Sequence, residues 1–195
     1  KYREGKYINF FDPDDILRQN TLTEVEKFFE KYYDTVPYVA IPLYYFEAQT
    51  GLHGKYKFLG VTNRIVNLDA EPYNFTLSSA SAFYKTETFD KIQFDETLTM
   101  SEDVLLNFTL LKNYHCFGYV CEKYVRYHYR KRLESGSIVD SYTENKNNFY
   151  IVLKIWNEIT KDEKEIPRYL KEYFLYESRS RIREITPYIF DDKKE

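Results

Sequence analysis

The chain has 195 residues, 43 % of them apolar and 30 % charged, which excludes a disordered tail and allows one domain with its own core, without disulfides or structural metal. Its 28 Lys and Arg against 31 Asp and Glu leave a formal charge of −3, so no global basic field calls for nucleic acid. Tyr, Phe and Trp make up 19 % of the chain, which favours strands and stacking surfaces.

The first element in chain order is a short strand at Tyr7-Ile8-Asn9-Phe10-Phe11, apolar on both faces and therefore expected in the interior of a sheet. Asp12-Pro13-Asp14-Asp15 then reads as a turn. Thr21 to Tyr33 has helical spacing, with Thr21 and Glu24 placed for a capping box and Val25, Phe28, Phe29 and Tyr32 as its apolar stripe. Tyr38 to Phe46 reads as one strand, with Pro42 marking an edge or a bulge. Gln49 to Tyr73 is broken by Gly51, Gly54 and Gly60 and reads as loop with short strands. Phe75 to Lys85 is extended, and its small residues Ser78 to Ala82 would let another backbone or a ligand come close. Ser101 caps a predicted helix over Glu102 to Lys112, with Val104, Leu105, Phe108 and Leu111 inward. Cys116 to Tyr129 is strand, in one piece or two, and Gly136 marks a loop. Thr143 to Ile159 and a last helix from Pro167 to about Ile185 complete the chain. The order predicts an α/β fold with a helical C-terminal part, divided at about residue 140.

Val36 to Phe46, the longest strongly apolar uncharged stretch, falls short of the ~20 residues a membrane helix needs. Cys116 and Cys121 would point to opposite strand faces, so reduced thiols and a cytoplasmic setting are expected. The chain opens at Lys1, without Met, and runs almost at once into apolar sequence, which reads as a piece of a longer protein.

Three clusters could carry chemistry. Asp12, Asp14 and Asp15 follow a strand, where open α/β sheets bind ligands. Carboxylates so close repel one another unless a cation or water shields them, and Mg²⁺ or Mn²⁺ takes such oxygens together with phosphate. A plain Asp-Pro turn is the bland alternative. Glu102 and Asp103 open a helix, where acids complement the dipole, or where a general base could be held rigidly. Lys123 to Arg132 holds five basic residues, one His and no acid. Strand alternation puts Arg126, His128 and Arg130 on one face, suited to a diphosphate, with Ser135 and Ser137 following as hydrogen-bonding partners. The same run would also serve as a basic edge strand that guards against aggregation.

Together these segments resemble family 2 glycosyltransferases of the GT-A fold. Gly5 to Asp15 is similar to that family's strand and DxD segment. Ala82-Phe83-Tyr84-Lys85, Phe94-Asp95-Glu96 and Ser101-Glu102-Asp103 resemble the stretch leading to the acceptor-side Glu-Asp pair. Tyr127-His128-Tyr129-Arg130-Lys131-Arg132, with Ser135 and Ser137, is similar to the basic segment that follows. The resemblance covers residues 1 to about 140 and implies the C-terminal part of a GT-A-like mixed sheet with flanking helices, with 141–195 as a helical cap.

The resemblance implies roles residue by residue. Asp14, Asp12 and His128 would hold Mn²⁺ or Mg²⁺. Asp12, Asp15, Arg126, Arg130, Ser135 and Ser137 would bind the donor, a nucleotide-sugar such as a UDP-sugar. Asp103, with Glu102 beside it, would be the base for an inverting transfer. The acceptor would be a glycan or polyol-phosphate of a surface polysaccharide, assembled at the inner face of the plasma membrane, and nucleic acid is not expected. The family's nucleotide-binding half is not in these residues, so the piece alone is expected to be inactive. Its first strand would lack neighbours unless a second copy covers it. A catalytically silent interaction module with the same fold, and a metal-dependent phosphoesterase, are the alternatives. The stripe of Ile166, Tyr169, Leu170, Tyr173, Phe174 and Ile185 reads as packing on the core, while Arg179, Arg181 and Arg183 leave acceptor binding or docking to a membrane surface open.

Overall fold

The computed structural model describes residues 5–90, 92, 98, 101–133 and 148–191. They form a mixed α/β fold of two sheets and four α-helices. The strands are β1 (Tyr7–Asn9), β2 (Ile16–Leu17), β3 (Tyr38–Ala40), β4 (Leu43–Glu47), β5 (Gly51–Leu52), β6 (Arg64–Asn67), β7 (Ala82–Lys85), β8 (Cys116–Tyr119) and β9 (Tyr127–Lys131). The helices are α1 (Thr21–Tyr32), α2 (Glu102–Asn113), α3 (Asn148–Thr160) and α4 (Arg168–Asp191). The larger sheet has the order β1-β7-β3-β8-β6, and the smaller β2-β9-β4-β5. Within them β3 runs parallel to β8 and β4 parallel to β9; the other pairs are antiparallel.

The chain passes from the larger to the smaller sheet three times, from β1 to β2, from β3 to β4 and from β8 to β9. The expected single strand over Tyr38 to Phe46 is therefore two strands in different sheets. Pro42 has no N–H to give a ladder, and the chain turns there from one sheet into the other, while the Pro42 carbonyl accepts from the Tyr127 N–H at 2.9 Å. The first crossing is the Asp12–Asp15 turn, closed by the Asp15 N–H donating to the Asp12 carbonyl at 3.2 Å.

β1 is an edge strand and not an interior one, but it has a neighbour. It pairs with β7 in the register Tyr7↔Lys85, Ile8↔Tyr84 and Asn9↔Phe83. The small residues before β7 serve close approach, as their sequence suggests. Asn9 Nδ2 donates to the carbonyls of Ala80 and Ala82 at 2.7 and 2.8 Å, and Ser81, fully buried, shares a 2.5 Å hydrogen bond with Tyr56.

α1 buries Val25, Phe28 and Phe29, the stripe its spacing predicts. Phe29 stacks on Tyr7 at 4.3 Å. Phe28 lies over Gly118 of β8, where an added Cβ would come within 2.5 Å of its ring and 2.9 Å of Val39. Gly118 is thus a close-approach position, fixing how near helix and sheet can come. The capping box does not form: Asn20 occupies the cap position at φ 67°, with no side-chain cap bond. Thr21 Oγ1 instead accepts from the Arg126 N–H at 3.4 Å, and Glu24 pairs with Lys27 at 2.8 Å.

α2 buries Val104, Leu106, Asn107, Phe108, Leu110 and Leu111, while Leu105 is only half-buried. It is covered on more than one side because α3 and α4 pack against it. Ile155, Ile159, Tyr169, Leu170 and Tyr173 of the C-terminal helices belong to the same continuous hydrophobic cluster as the sheets. The Tyr169 hydroxyl donates to the Leu111 carbonyl at 2.9 Å. Cys116 and Cys121 are both free thiols. No helix among the described residues is long and apolar enough to cross a membrane.

Candidate functional site

The aspartate turn is built onto β9. Tyr127, fully buried, donates its hydroxyl to Asp15 Oδ2 at 2.5 Å, and its oxygen lies 3.5 Å from the Asp12 N–H. The Arg130 N–H donates to Asp15 Oδ1 at 2.7 Å. Asp15 is therefore a buried strut with both oxygens satisfied. Burial pushes its pKa up, the two hydrogen bonds pull it down, and Asp14 adds repulsion. Asp14 is more exposed; Arg132 Nε and Nη2 donate to its Oδ2 at 3.0 and 2.8 Å. That contact holds Asp14 below the ordinary carboxylate range, with Arg130 adding to the effect.

Asp12 differs from both. Burial raises its pKa first, then the charges of Asp15, Asp14 and Glu102. Glu102 belongs to the head of α2, ninety residues further along the chain. Its charge is the weakest of the influences on Asp12.

At that helix head Ser101 takes a left-handed backbone, φ 63°, rare for a residue with a side chain. It is buried, and its Oγ accepts from Arg181 Nη2 of α4 at 3.1 Å. Arg181 Nη1 also binds Glu177 Oε2 at 2.6 Å, in a pair whose side chains are only 12 % and 11 % exposed. Asp103 turns its Oδ1 back onto the Val104 N–H at 2.8 Å. Burial lifts the Asp103 pKa to about 7, with repulsion from Glu102 and Glu177 behind it and Arg181 opposing. Its charge also reaches the Tyr84 and Tyr173 hydroxyls. Among the described residues the Tyr84 hydroxyl and Arg181 Nε are buried without a partner. A carboxyl that changes charge near neutrality, on a rigid helix end, suits proton transfer.

The basic strand divides between two faces. Arg126 and His128 both pack at Tyr44, Arg130 turns to Glu47, and the side of β9 that meets the aspartate turn carries Tyr127 and Tyr129. Asp12, Asp14 and Asp15 all raise the Tyr129 pKa, after burial. His128 lies instead among Tyr44, Phe46, Arg18 and Arg126. The structure thus does not bring His128 to Asp12 and Asp14, because the pleat turns it the other way. Arg126 is likewise away from the aspartates, over the Tyr44 ring at 4.5 Å. Arg130 pairs its guanidinium with Glu47 and reaches the site through its backbone N–H and its charge on Asp14. Among the described residues no three His, Cys, Asp or Glu side chains converge to hold a metal ion. Ser135, Ser137 and the Phe94-Asp95-Glu96 segment lie outside the described residues.

Four residues of the site were not singled out for it from sequence. Tyr127 and Arg132 lie in the basic run, and no local pattern there marks which residues meet Asp15 and Asp14. Arg181 and Glu177 come from the last helix, and a basic row on an apolar helix gives no sign of which helix end it meets.

No family model matches the chain. Two curated proteins resemble it along most of its length. It is 31 % identical over 187 residues to the minor teichoic acid biosynthesis protein GgaB of Bacillus subtilis (strain 168), a match covering 93 % of this chain and 20 % of that protein. It is also 31 % identical over 152 residues to the minor teichoic acid biosynthesis protein GgaA of the same organism, covering 76 % of this chain and 33 % of that one. The chain therefore spans between a fifth and a third of the length of these relatives.

Proposed function

We propose that this chain is the DxD-bearing, acceptor-side part of a family 2, GT-A-type inverting glycosyltransferase, moving a sugar from a nucleotide-sugar to a growing surface polymer. The single observation that carries the reading is Asp103, a carboxyl fixed at the head of α2 by the Val104 N–H and titrating near neutrality. The similarity to two teichoic acid biosynthesis proteins supports a glycan or polyol-phosphate as the acceptor.

In this reading Asp103 accepts the proton of the acceptor hydroxyl as its oxygen bonds to the anomeric carbon. The bond from that carbon to the diphosphate breaks, and the electron pair leaves with the diphosphate. Arg132 and Arg130 stand where negative charge gathers beside Asp14. Ser101, held by Arg181, sets the position of the helix end that carries the base.

A divalent cation fits the donor chemistry as one shared between protein and substrate. Hard cations of this kind take one or two carboxylates with phosphate oxygens and water. Asp12 and Asp14 would hold it, and the crowding of Asp12 by three like charges is the strain it would relieve. When bound, Mn²⁺ or Mg²⁺ supplies charge neutralisation on the leaving diphosphate. His128, on the opposite face of β9, takes no part. The phosphoesterase alternative wants more converging acids than the described residues supply.

The test is Mn²⁺-dependent hydrolysis of UDP-sugars by the full-length parent, with Asp14→Ala and Asp103→Ala made separately. Each is expected to lower turnover by about 10²-fold or more. Wild-type turnover in both would remove the assignment. The 195-residue chain alone is expected to bind UDP with Mn²⁺ only weakly, and micromolar binding by calorimetry would show that no further donor half is needed.

A further inference from the structure

The outer face of the smaller sheet carries cations that the reaction above does not use. Arg18 follows β2 and Arg126 precedes β9, and the Arg18 N–H donates to the Arg126 carbonyl at 3.1 Å, so the two residues sit side by side. Tyr44, which lies under Arg126, is 6.1 Å from the His128 ring, and both arginines lower the His128 pKa after burial. Among the described residues no carboxylate pairs with either guanidinium. Arg126 instead lies 4.5 Å above the Tyr44 ring, and its Nη2 donates to the Lys123 carbonyl at 3.3 Å. His128 Nε2 is buried and has no partner. Beside Arg18 opens a recess lined by Arg18, Gln19, Asn20 and Tyr124, with two amide side chains and an aromatic edge.

Two neighbouring guanidinium groups without a carboxylate partner among the described residues, beside a polar recess, want an anion with several oxygens. The aspartate turn does not neutralise these cations: Asp15 is held by Tyr127 and the Arg130 N–H, and Asp14 by Arg132. An anionic membrane is a poor match, because recognition of a charged bilayer uses clusters of about 4–8 Lys or Arg. We propose that this face is an anion-binding subsite for the phosphate groups of a non-nucleic-acid phosphodiester polymer, holding the acceptor chain outside the reaction centre. The identity of that polymer as the acceptor rests on the function proposed above; the anion site rests on Arg18, Arg126 and the recess beside them. β9 presents Tyr127 to the aspartates, and Arg126, just before it, belongs to the anion site.

The experiment measures binding of fluorescent poly(glycerol phosphate) to the full 195-residue chain by anisotropy at two salt concentrations. Neutral dextran and anionic phospholipid vesicles are run beside it. Arg18→Gln with Arg126→Gln is expected to weaken polymer binding by about tenfold and to flatten its dependence on salt. His128→Gln, which leaves both guanidinium groups, is expected to weaken it less. Lys57→Gln, which removes an exposed cation elsewhere on the surface, is expected to leave it unchanged, and circular dichroism and the melting temperature verify folding of each variant. Equal binding by the double variant, equal binding of dextran, or capture of vesicles without polymer would each overturn the subsite. If the parent hydrolyses no UDP-sugar while the arginine-dependent binding persists, the transferase reading fails and the subsite stands.

Discussion

Asp103→Asn separates the cost of a buried carboxylate from its use. Raising the Asp103 pKa from its ordinary 3.8 to about 7 corresponds to about 4 kcal/mol between the two protonation states. The sign follows from linkage. Below pH 3.8 the carboxyl is protonated in folded and unfolded chains, so it costs the fold nothing. Between 3.8 and 7 the unfolded chain ionises first, and the penalty grows with pH until the folded form ionises as well. Asparagine is nearly isosteric, keeps an oxygen for the Val104 N–H at 2.8 Å, and never ionises. The variant is therefore expected to be more stable than the wild type by about 2–4 kcal/mol at pH 8, by less near pH 5.5, and by almost nothing at pH 4. Urea unfolding at those three pH values measures it. In the full-length parent the same change is expected to abolish transfer, whose rate otherwise rises with pH through about 7. A stability difference that does not vary with pH, or a variant weaker than wild type at pH 8, would refute the reasoning.

Two further substitutions probe the supports of the site. Arg181→Gln removes the cation that opposes the rise of both Asp103 and Glu177, so the acidic limb of the parent's pH–rate profile is expected to move to higher pH. It also breaks a nearly buried pair, with an expected stability loss of about 2–4 kcal/mol; Arg181→Lys, which keeps the charge, should restore the limb more than the stability. Gly118→Ala puts a methyl within 2.5 Å of the Phe28 ring, which overpacks the α1–sheet contact and is expected to cost about 1–3 kcal/mol in urea unfolding. Phe28→Leu in the same chain should recover part of that loss.

Much of this architecture is legible from local pattern. The helical stripe of α1, the acidic turn after β1 and the start of α2 after Ser101 each depend on neighbours a few residues apart. Helix periodicity, turn formers and strand alternation carry that information directly. The expected grouping holds for Arg126 and His128, which both pack at Tyr44, while Arg130 pairs with Glu47.

Which face meets the aspartates is a different kind of fact. It depends on β2 and β4 flanking β9 in a particular register, and on Asp15 being satisfied by Tyr127 and the Arg130 N–H across more than a hundred residues. A two-residue period cannot say which side is inward when both sides carry aromatics. Pro42 shows the same limit: its missing N–H marks a break, but only the second sheet turns that break into a crossing. The Glu177–Arg181 support under Ser101 joins residues some eighty positions apart through a helix packed on the core. The residue types able to do chemistry are therefore written in the chain, whereas their neighbours, and with them the charge state of Asp103 and the orientation of His128, are decided by long-range packing.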